Sequence, residues 1–469
     1  MRNKTQLIAL LLLLSCFSRI SRAVPPNIVF LLADDLGWKD VSFHGSEIQT
    51  PQLDALAAQG ARLEQFYVQP LCSPTRAALM TGRYPMRCGL QWGVVKPYAQ
   101  YGLPLAERTL PQALREAGYA TAIVGKWHLG HHDRAFLPTA RGFDHQYGHY
   151  NGAIDYYTHE RDGGLDWHRD DHALREEGYS TQLIASEAVR LIRERDKAKP
   201  LFLYVPFNAV HAPLMAPEKY FAPYAALPEP RRTFAGMVAV MDECVGQIVA
   251  ALDGEKMRAD TLIIFSSDNG GNAPGKVSDN TPLRGGKHTL YEGGVRVPAF
   301  AVWPGKIKPS VVNAPLHMVD WFPTLLALAG ASAGELDGAD AWKTIAEGTP
   351  SPHEFILHNA APKTGALRAG DWKFILNGHI PDSGGEDEDK PKKQKPDGPE
   401  QVELFNIADD PSETKNLAET NPEKLRELRA RYDALAAQAV PVQQTAKPKD
   451  FVVPAVWGEV PAKDAKDTK

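Results

Sequence analysis

The sequence places a cysteine and an arginine within PLCSPTRAALMTGRYP, residues 70–85. Cys72 and Arg76 are four residues apart, which is about one helical turn, so a helix here would turn both side chains toward one pocket. The chain has only 4 cysteines in 469 residues. Position 72 is therefore a candidate reactive site, since an unpaired cysteine in an exported protein is usually kept for its chemistry.

Two acidic pairs follow apolar stretches that are typical of buried strands. Asp34 and Asp35 follow NIVFLLA, and Asp268 and Asn269 follow DTLIIFSS. Each pair taken alone is compatible with a turn or a helix cap. Three carboxylates brought together would repel unless a cation lay between them, and hard oxygen ligands suit Ca²⁺ or Mg²⁺. The sequence has no His/Cys set with zinc spacing.

Basic side chains occur in loops marked by Gly or Pro. Lys126 and His128 lie in GKWHLG, His211 in VHAP and Lys287 in LRGGKH. A single loop lysine is usually solvated, and a single histidine is more often structural. A pocket that combines these groups with Arg76 and a divalent metal indicates an anionic substrate.

The elements around these loops predict an α/β fold. Apolar strands alternate with amphipathic helices over most of the chain, which is typical of a largely parallel sheet. Ligands of such sheets bind beyond the carboxyl ends of the strands, where the acidic and basic groups fall.

The first 23 residues have the features of a secretory signal peptide. Basic residues precede the apolar run LIALLLLLSCF, which is short for a membrane span, and small residues precede a cleavage site after Ala23. A buried helix, or a lipoprotein acylated at Cys16, is an alternative. Cleavage leaves Cys72, Cys88 and Cys244; the last two could pair or stay buried, and Cys244 lies on an amphipathic helix that is expected in the core.

Composition limits the function and suggests the domain boundaries. A net charge of -5 and 43% hydrophobic residues fit a soluble enzyme and argue against nucleic-acid binding. After the signal peptide we expect a catalytic domain at 24–350 and a smaller C-terminal α+β subdomain at 351–445. The latter includes a charged, Pro/Gly-rich loop near 382–400, and a loose tail is expected at 446–469.

Cys72-Ser73-Pro74-Thr75-Arg76 followed by AALMTGR resembles the C-x-P-x-R signature of type I sulfatases. The Asp-Asp, GKWHLG, DNGG and GGK segments occur in the order seen in that family, and the resemblance runs from Asn27 to Leu417. It implies the alkaline-phosphatase-superfamily sulfatase fold: a large mixed, mostly parallel sheet between helices, and a smaller C-terminal antiparallel-sheet subdomain. It also implies that a formylglycine-generating or radical maturase oxidises Cys72 to 3-oxoalanine (formylglycine).

The resemblance implies a role for each candidate residue. The metal, Ca²⁺ or Mg²⁺, would be held by Asp34, Asp35, residue 72, Asp268 and Asn269. The hydrated aldehyde would attack sulfur, with Arg76 and Lys126 steadying it and the sulfate oxygens. His211, near Lys287, would protonate the leaving oxygen, and His128 would take a proton as sulfate departs.

AGMVAVMDECVG, PLRGGKHTLYEGGVR, LDGADAWKTIAEGTPSPHEFILHN and NGAIDYYTHE resemble the arylsulfatase B group more closely. That likeness implies removal of a terminal N-acetylgalactosamine-4-sulfate from a chondroitin- or dermatan-type glycosaminoglycan, or of sulfate from a related sulfated polysaccharide. The charged insert near residue 390 and the stretches GLQWG and GGLDWHRDDH depart from the group, which leaves the sugar open. A phosphonate or phosphate-ester hydrolase and a non-catalytic sulfated-glycan binder are the alternatives. Export could lead to the periplasm, the medium or a lysosome.

Overall fold

The computed structural model describes residues 25–272, 277–361, 363–380 and 399–459. The predicted signal peptide and most of the predicted charged loop lie outside the described residues.

The strands and helices have the following bounds. The strands are β1 Asn27–Ala33, β2 Ala61–Leu63, β3 Phe66–Tyr67, β4 Ala120–Lys126, β5 His145–His149, β6 Glu160–Arg161, β7 Gly164–Leu165, β8 His168–Arg169, β9 His172–Ala173, β10 Leu201–Pro206, β11 Thr261–Ser267, β12 Ala299–Val302, β13 Ser310–Val312, β14 Leu316–His317, β15 Ile356–Ala361, β16 Thr364–Ala369, β17 Trp372–Leu376 and β18 Val402–Asn406. The α-helices are α1 Pro51–Ala57, α2 Cys72–Thr81, α3 Leu110–Glu116, α4 Ser180–Glu194, α5 Arg231–Gly254, α6 Glu292–Val295, α7 Trp321–Leu328, α8 Trp342–Glu347 and α9 Pro422–Ala436. Short 3₁₀ helices cover Ser42–His44, Pro85–Arg87, Arg134–Phe136, Pro138–Arg141, Glu218–Tyr220, Ala222–Tyr224, Arg258–Asp260 and Met318–Asp320.

A ten-stranded sheet in the order β13-β2-β12-β11-β1-β10-β4-β5-β8-β9 forms the centre of the molecule. Its middle strands β11, β1, β10, β4 and β5 pair in parallel, and antiparallel pairs flank them. This arrangement, with a separate small antiparallel sheet, confirms the predicted fold class.

Strand β1 shows why these segments become central strands. Ile28, Phe30 and Leu32 point into one apolar cluster, and Val29 and Leu31 point into another on the opposite face. Because helices cover both faces, the sequence of the strand is continuously apolar rather than alternating.

Helix α5 is the one helix among the described residues that is long and apolar enough to cross a membrane by length and composition. The most apolar window of this helix is 67% buried within the protein, which is typical of a core helix. Cys244 lies on it and is buried, as predicted. Cys88 is also buried, and neither cysteine forms a disulfide.

The C-terminal sheet consists of β15, β16, β17 and β18, all antiparallel. Helix α9 packs on one face through Leu428 and Tyr432. The other face places Ala366, Ile375 and Phe405 against an apolar cluster that contains residues 71, 72, 290 and 291. This sheet therefore lies directly behind the start of α2.

Part of the segment expected to be a loose tail is packed against the molecule. We call residues 440–458 the C-terminal strap. Its Val440 amide donates to Met86 O at 2.9 Å, and near its end Trp457 is buried and donates from Nε1 to Arg161 O at 2.9 Å. Val456 forms a parallel bridge with Leu165. The buried indole ring of Trp457 anchors this otherwise polar, Pro-containing strap to the rest of the protein.

Candidate active site

Four adjacent parallel strands, β11, β1, β10 and β4, end at the same edge of the large sheet. The residues that follow or end them are the sequence candidates Asp268 and Asn269, Asp34 and Asp35, His211, and Lys126 and His128. The strand ends thus gather, from distant parts of the chain, the groups that the motifs predicted.

Cys72 is the first residue of α2, and its side chain is completely buried. Its Sγ lies 3.5 Å from Asp34 Oδ1 and 4.0 Å from Asp35 Oδ1. Burial, with the negative charge of Asp268, raises the pKa of the Cys72 thiol well above its usual value. An unmodified Cys72 is therefore a neutral thiol, which makes it a poor nucleophile.

Arg76 lies one turn along α2 and binds two carboxylates. Its Nη2 is 2.8 Å from Asp268 Oδ2 and 3.2 Å from Asp34 Oδ2, and its Nη1 donates to Lys126 O at 2.8 Å. The Lys126 ammonium is 2.6 Å from Asp34 Oδ2. All four side chains are buried, so these ion pairs interact at low local dielectric.

Lys287 reaches the opposite side of the cluster from a loop after β11. Its Nζ lies 2.9 Å from Asp35 Oδ2 and 3.1 Å from His211 Nε2. His211 Nδ1 is 2.7 Å from Ala212 O and must donate to it, so Nε2 is the nitrogen that faces the site. Burial alone would raise the pKa of Asp35, but Lys287 and His211 outweigh it and lower that pKa to about 2.

The carboxylate cluster fits a hard metal ion. Oxygen, sulfur or nitrogen atoms of Asp34, Asp35, Cys72 and His211 lie within 4.8 Å of one another. The Asn269 amide has Nδ2 2.7 Å from Asp35 Oδ1, and its Oδ1 is buried with no hydrogen-bond donor. Burial and the nearby Asp34 charge raise the pKa of Asp268 to about 6. A divalent cation would relieve both the orphan amide oxygen and the carboxylate repulsion.

His128 is connected to the residue that follows Cys72. Ser73 Oγ donates to His128 O at 2.8 Å and accepts from the Val95 amide at 3.0 Å. The Nε2 of His128 lies 3.1 Å from Val95 O, so that nitrogen donates to the carbonyl. The buried imidazole is thus held in a fixed orientation by a loop that carries no predicted site residue.

Three loops of the site hold a non-glycine residue in the left-handed region. The φ angles are 61° for Asp35, 59° for His128 and 70° for His288. A non-glycine residue held in this region costs about 1–3 kcal/mol of conformational energy. Such residues cluster at functional sites, where the surrounding structure fixes the backbone.

Sequence reasoning missed several supporting residues. The Tyr156 hydroxyl lies 2.8 Å from the carbonyl oxygens of Asn208 and His211, and so braces the His211 loop. Asn280 accepts from the Gly271 amide and donates to Gly285 O, which joins the turn after Asn269 to the segment that carries Lys287. Tyr156 was visible only as part of NGAIDYYTHE, and Asn280 in DNTP reads as an ordinary turn residue.

A family model described as sulfatase matches residues 26–331. The chain belongs to the sulfatase family. It is a sulfuric ester hydrolase, as the motifs predicted, and the matched region includes every candidate residue of the site. The closer likeness to arylsulfatase B stays a prediction.

Curated sulfatases align with most of the chain. Arylsulfatase J of Mus musculus is 39% identical, covering 91% of this chain and 78% of the relative. N-acetylgalactosamine-6-sulfatase of Mus musculus is 36% identical, covering 72% of this chain and 70% of the relative. Among solved structures, Ps i-CgsB in complex with k-i-k-neocarrahexaose has a TM-score of 0.79 and 32% identity, covering 90% of this chain and 95% of that one.

Proposed function

We propose that this sulfatase removes sulfate from a sulfated carbohydrate, with a terminal N-acetylgalactosamine-4-sulfate as the preferred group. The observation that carries the proposal is the convergence of buried carboxylates and cations on residue 72. Asp34 lies 3.5 Å from Cys72 Sγ and 2.6 Å from the Lys126 ammonium, and Lys287 closes the other side through Asp35.

The charge balance of the site favours an anion. The carboxylates of Asp34, Asp35 and Asp268 are matched by the three permanent cations, which are Arg76, Lys126 and Lys287. A divalent metal would leave the buried cluster with an excess of about two positive charges. A sulfate ester that enters, and a sulfate ion that leaves, would each reduce that excess.

Formylglycine at position 72 supplies a hydroxyl nucleophile once hydrated, and a divalent metal held by Asp34, Asp35, Asp268 and Asn269 supplies positive charge beside it. Arg76 and Lys126 hold the metal-binding carboxylates and contribute charge toward the sulfate oxygens. His211 is the proposed acid: its Nδ1 is bonded to Ala212 O, and its Nε2, which accepts from the Lys287 ammonium, would pass a proton to the leaving sugar oxygen. His128 accepts a proton at Nδ1, because Nε2 is committed to Val95 O.

The saccharide substrate is supported by the relatives. One is named for N-acetylgalactosamine-6-sulfate chemistry, and a structural neighbour was solved with a neocarrahexaose bound. The preference for a sulfate at position 4 of the sugar is supported only by the segments that resemble arylsulfatase B.

Maturation and export complete the proposal. We propose that a formylglycine-generating or radical maturase converts Cys72, and that the first 23 residues direct the chain to the periplasm, the medium or a lysosome. The resident metal is Ca²⁺, with Mg²⁺ as the alternative.

The test begins with the mass of the peptide spanning Gln69 to Arg76, from protein made in its own host. An aldehyde in place of the thiol supports the mechanism. The same protein is then assayed on N-acetylgalactosamine 4-sulfate, the 6-sulfate and a phosphonate ester. Faster release from the 4-sulfate supports the proposal, and full activity of a Cys72→Ser variant contradicts it.

A further inference from the structure

The loop that carries Lys287, residues 284–295, makes contacts with three parts of the site. We call it the Lys287 loop. Its backbone amides at 287 and 288 donate to Gly271 O at 3.1 Å and to Pro70 O at 3.0 Å. The Gly270 amide donates to Gly294 O at 3.0 Å, and a Cβ on Gly270 would lie 1.8 Å from Gly293 O. The position of this loop therefore also affects the Asn269 turn and the start of α2.

The far side of the Lys287 loop is joined to the C-terminal sheet by a buried ion cluster. Lys373 of β17 has its Nζ 2.9 Å from Glu292 Oε1 and 2.9 Å from Glu413 Oε1. The Glu292 amide donates to Glu413 Oε2 at 2.6 Å, and the Tyr67 hydroxyl donates to Glu292 Oε2 at 2.8 Å. These side chains are all buried.

Further contacts extend the same junction. The Leu290 amide donates to Gly378 O at 2.8 Å, and the Ile380 amide donates to His288 O at 2.9 Å. The Tyr291 hydroxyl donates to Glu403 Oε2 at 2.6 Å. Leu290 and Tyr291 also pack in the apolar cluster that includes Cys72. The C-terminal sheet and the segment that follows β17 thus contact the Lys287 loop through both backbone and side-chain hydrogen bonds.

A buried ion cluster is weak evidence for stability, because desolvation offsets most of the attraction between the charges. It does fix geometry, since each charge must keep its partner. We propose that Lys373 and Glu413 are positioning residues that hold the Lys287 loop, and with it the Lys287 ammonium at Asp35 and His211. The C-terminal sheet then acts on the reaction although, among the described residues, it contributes no side chain to the polar cluster of Asp34, Asp35, Cys72 and His211. This inference rests on the proposed role of Lys287.

The experiment is a double-mutant cycle on the matured, metal-loaded enzyme with a small aryl sulfate. Lys373→Met, Glu413→Ala and Lys287→Ala are made singly, and the first two are also combined with Lys287→Ala. A displaced catalytic group costs up to roughly 100-fold, so we expect Lys373→Met to lower kcat at least about tenfold. In the Lys287→Ala background the same substitution should change kcat less than about twofold, because the group it positions is gone. Lys424→Met, at a partly exposed position of α9, is the matched control and should leave kcat unchanged.

The outcomes separate the two proposals. An equal loss in both backgrounds, or no loss in folded Lys373→Met, overturns the positioning role alone. Full kcat in Lys287→Ala overturns the proposed role of Lys287 and the positioning role with it. If Lys373→Met does not fold, Tyr291→Phe removes one hydrogen bond of the same junction while keeping its shape. It should lower kcat a few-fold in the parent enzyme and leave it unchanged in Lys287→Ala.

Discussion

The ammonium nitrogen of Lys126 lies 2.6 Å from Asp34 Oδ2, and both side chains are completely buried. Replacing Lys126 by Met leaves a buried carboxylate with one cation fewer, and removes positive charge from the proposed sulfate position. We expect kcat to fall about 10²–10³-fold, the range seen when one charge-stabilising donor is removed. Steady-state kinetics with a sulfate ester measure it, and Lys219→Met on the surface is the control. A loss confined to KM would contradict this role.

Removing the metal should weaken the fold as well as the activity. Without a cation, the carboxylates of Asp34, Asp35 and Asp268 face each other with only protein cations to compensate. Thermal melts of a Cys72→Ala variant, with and without added metal, measure the stabilisation by the metal without relying on turnover. Metal at 100 times its Kd should stabilise the protein by about 2.7 kcal/mol. An Asp268→Asn, Asn269→Ala double variant should lose that response, and an unchanged response would place the metal elsewhere.

Ser73 connects the loop of Val95 to His128 through one hydroxyl. Ser73→Ala leaves the buried Val95 amide and the His128 carbonyl without their shared hydroxyl partner. This should lower the free energy of unfolding by about 1–3 kcal/mol. We expect a lower urea midpoint and a displaced His128 that shifts the pH dependence of kcat. Ser186→Ala, on the exposed side of α4, is the control. A parent-like pH profile would show that Ser73 only stabilises the fold.

Glu187 makes stability depend on pH. Burial raises the pKa of its carboxyl, but hydrogen bonds from His145 and Arg190 and the charge of Arg169 outweigh it and lower that pKa to about 2. The unfolded carboxyl titrates near 4.5, so the folded form holds fewer protons, and the stabilisation is present above pH 4.5 and lost as pH falls toward 2. We expect Glu187→Gln to cost roughly 2 kcal/mol at pH 7 and little at pH 2. Urea unfolding across this range measures it, and Ser186→Ala on the exposed side of the same helix is the control. An equal loss of stability for Glu187→Gln at pH 7 and at pH 2 would contradict this role.

The anchor of the C-terminal strap is also testable. Trp457→Ala removes a buried ring and its bond to Arg161 O, which should cost about 3 kcal/mol. We expect faster tryptic cleavage within the strap, after Lys449, before the rest of the protein unfolds. Val452→Ala is the control, because Val452 is 81% exposed. Equal proteolysis rates for the two variants would mean that Trp457 does not anchor the strap.

Much of the site was predictable because local sequence dictates it. Continuous apolar runs such as β1 and β11 must be buried, and a parallel sheet brings their carboxyl ends together, so Asp34 and Asp268 had to approach. The position of Arg76 followed from helical spacing.

The supporting groups were not predictable for a physical reason. Lys373 sits in WKFIL, where alternation makes a lysine look solvated, and Glu413 sits in a polar turn. Their partner is Glu292, which is 81 residues from Lys373, and nothing in the local pattern indicates that contact. Trp457 is likewise surrounded by residues typical of a loose segment.

The C-terminal strap has a consequence for biosynthesis. The Val440 and Gln443 amides donate to Met86 O and Gly89 O, and Trp457 donates to Arg161 O. Residues synthesised late therefore hold loops that were synthesised about 300 to 350 residues earlier. A chain still on the ribosome, or still threading through a translocation channel, lacks those bonds. Residues 86–89 therefore gain these two backbone hydrogen bonds only once residues 440–443 have been synthesised.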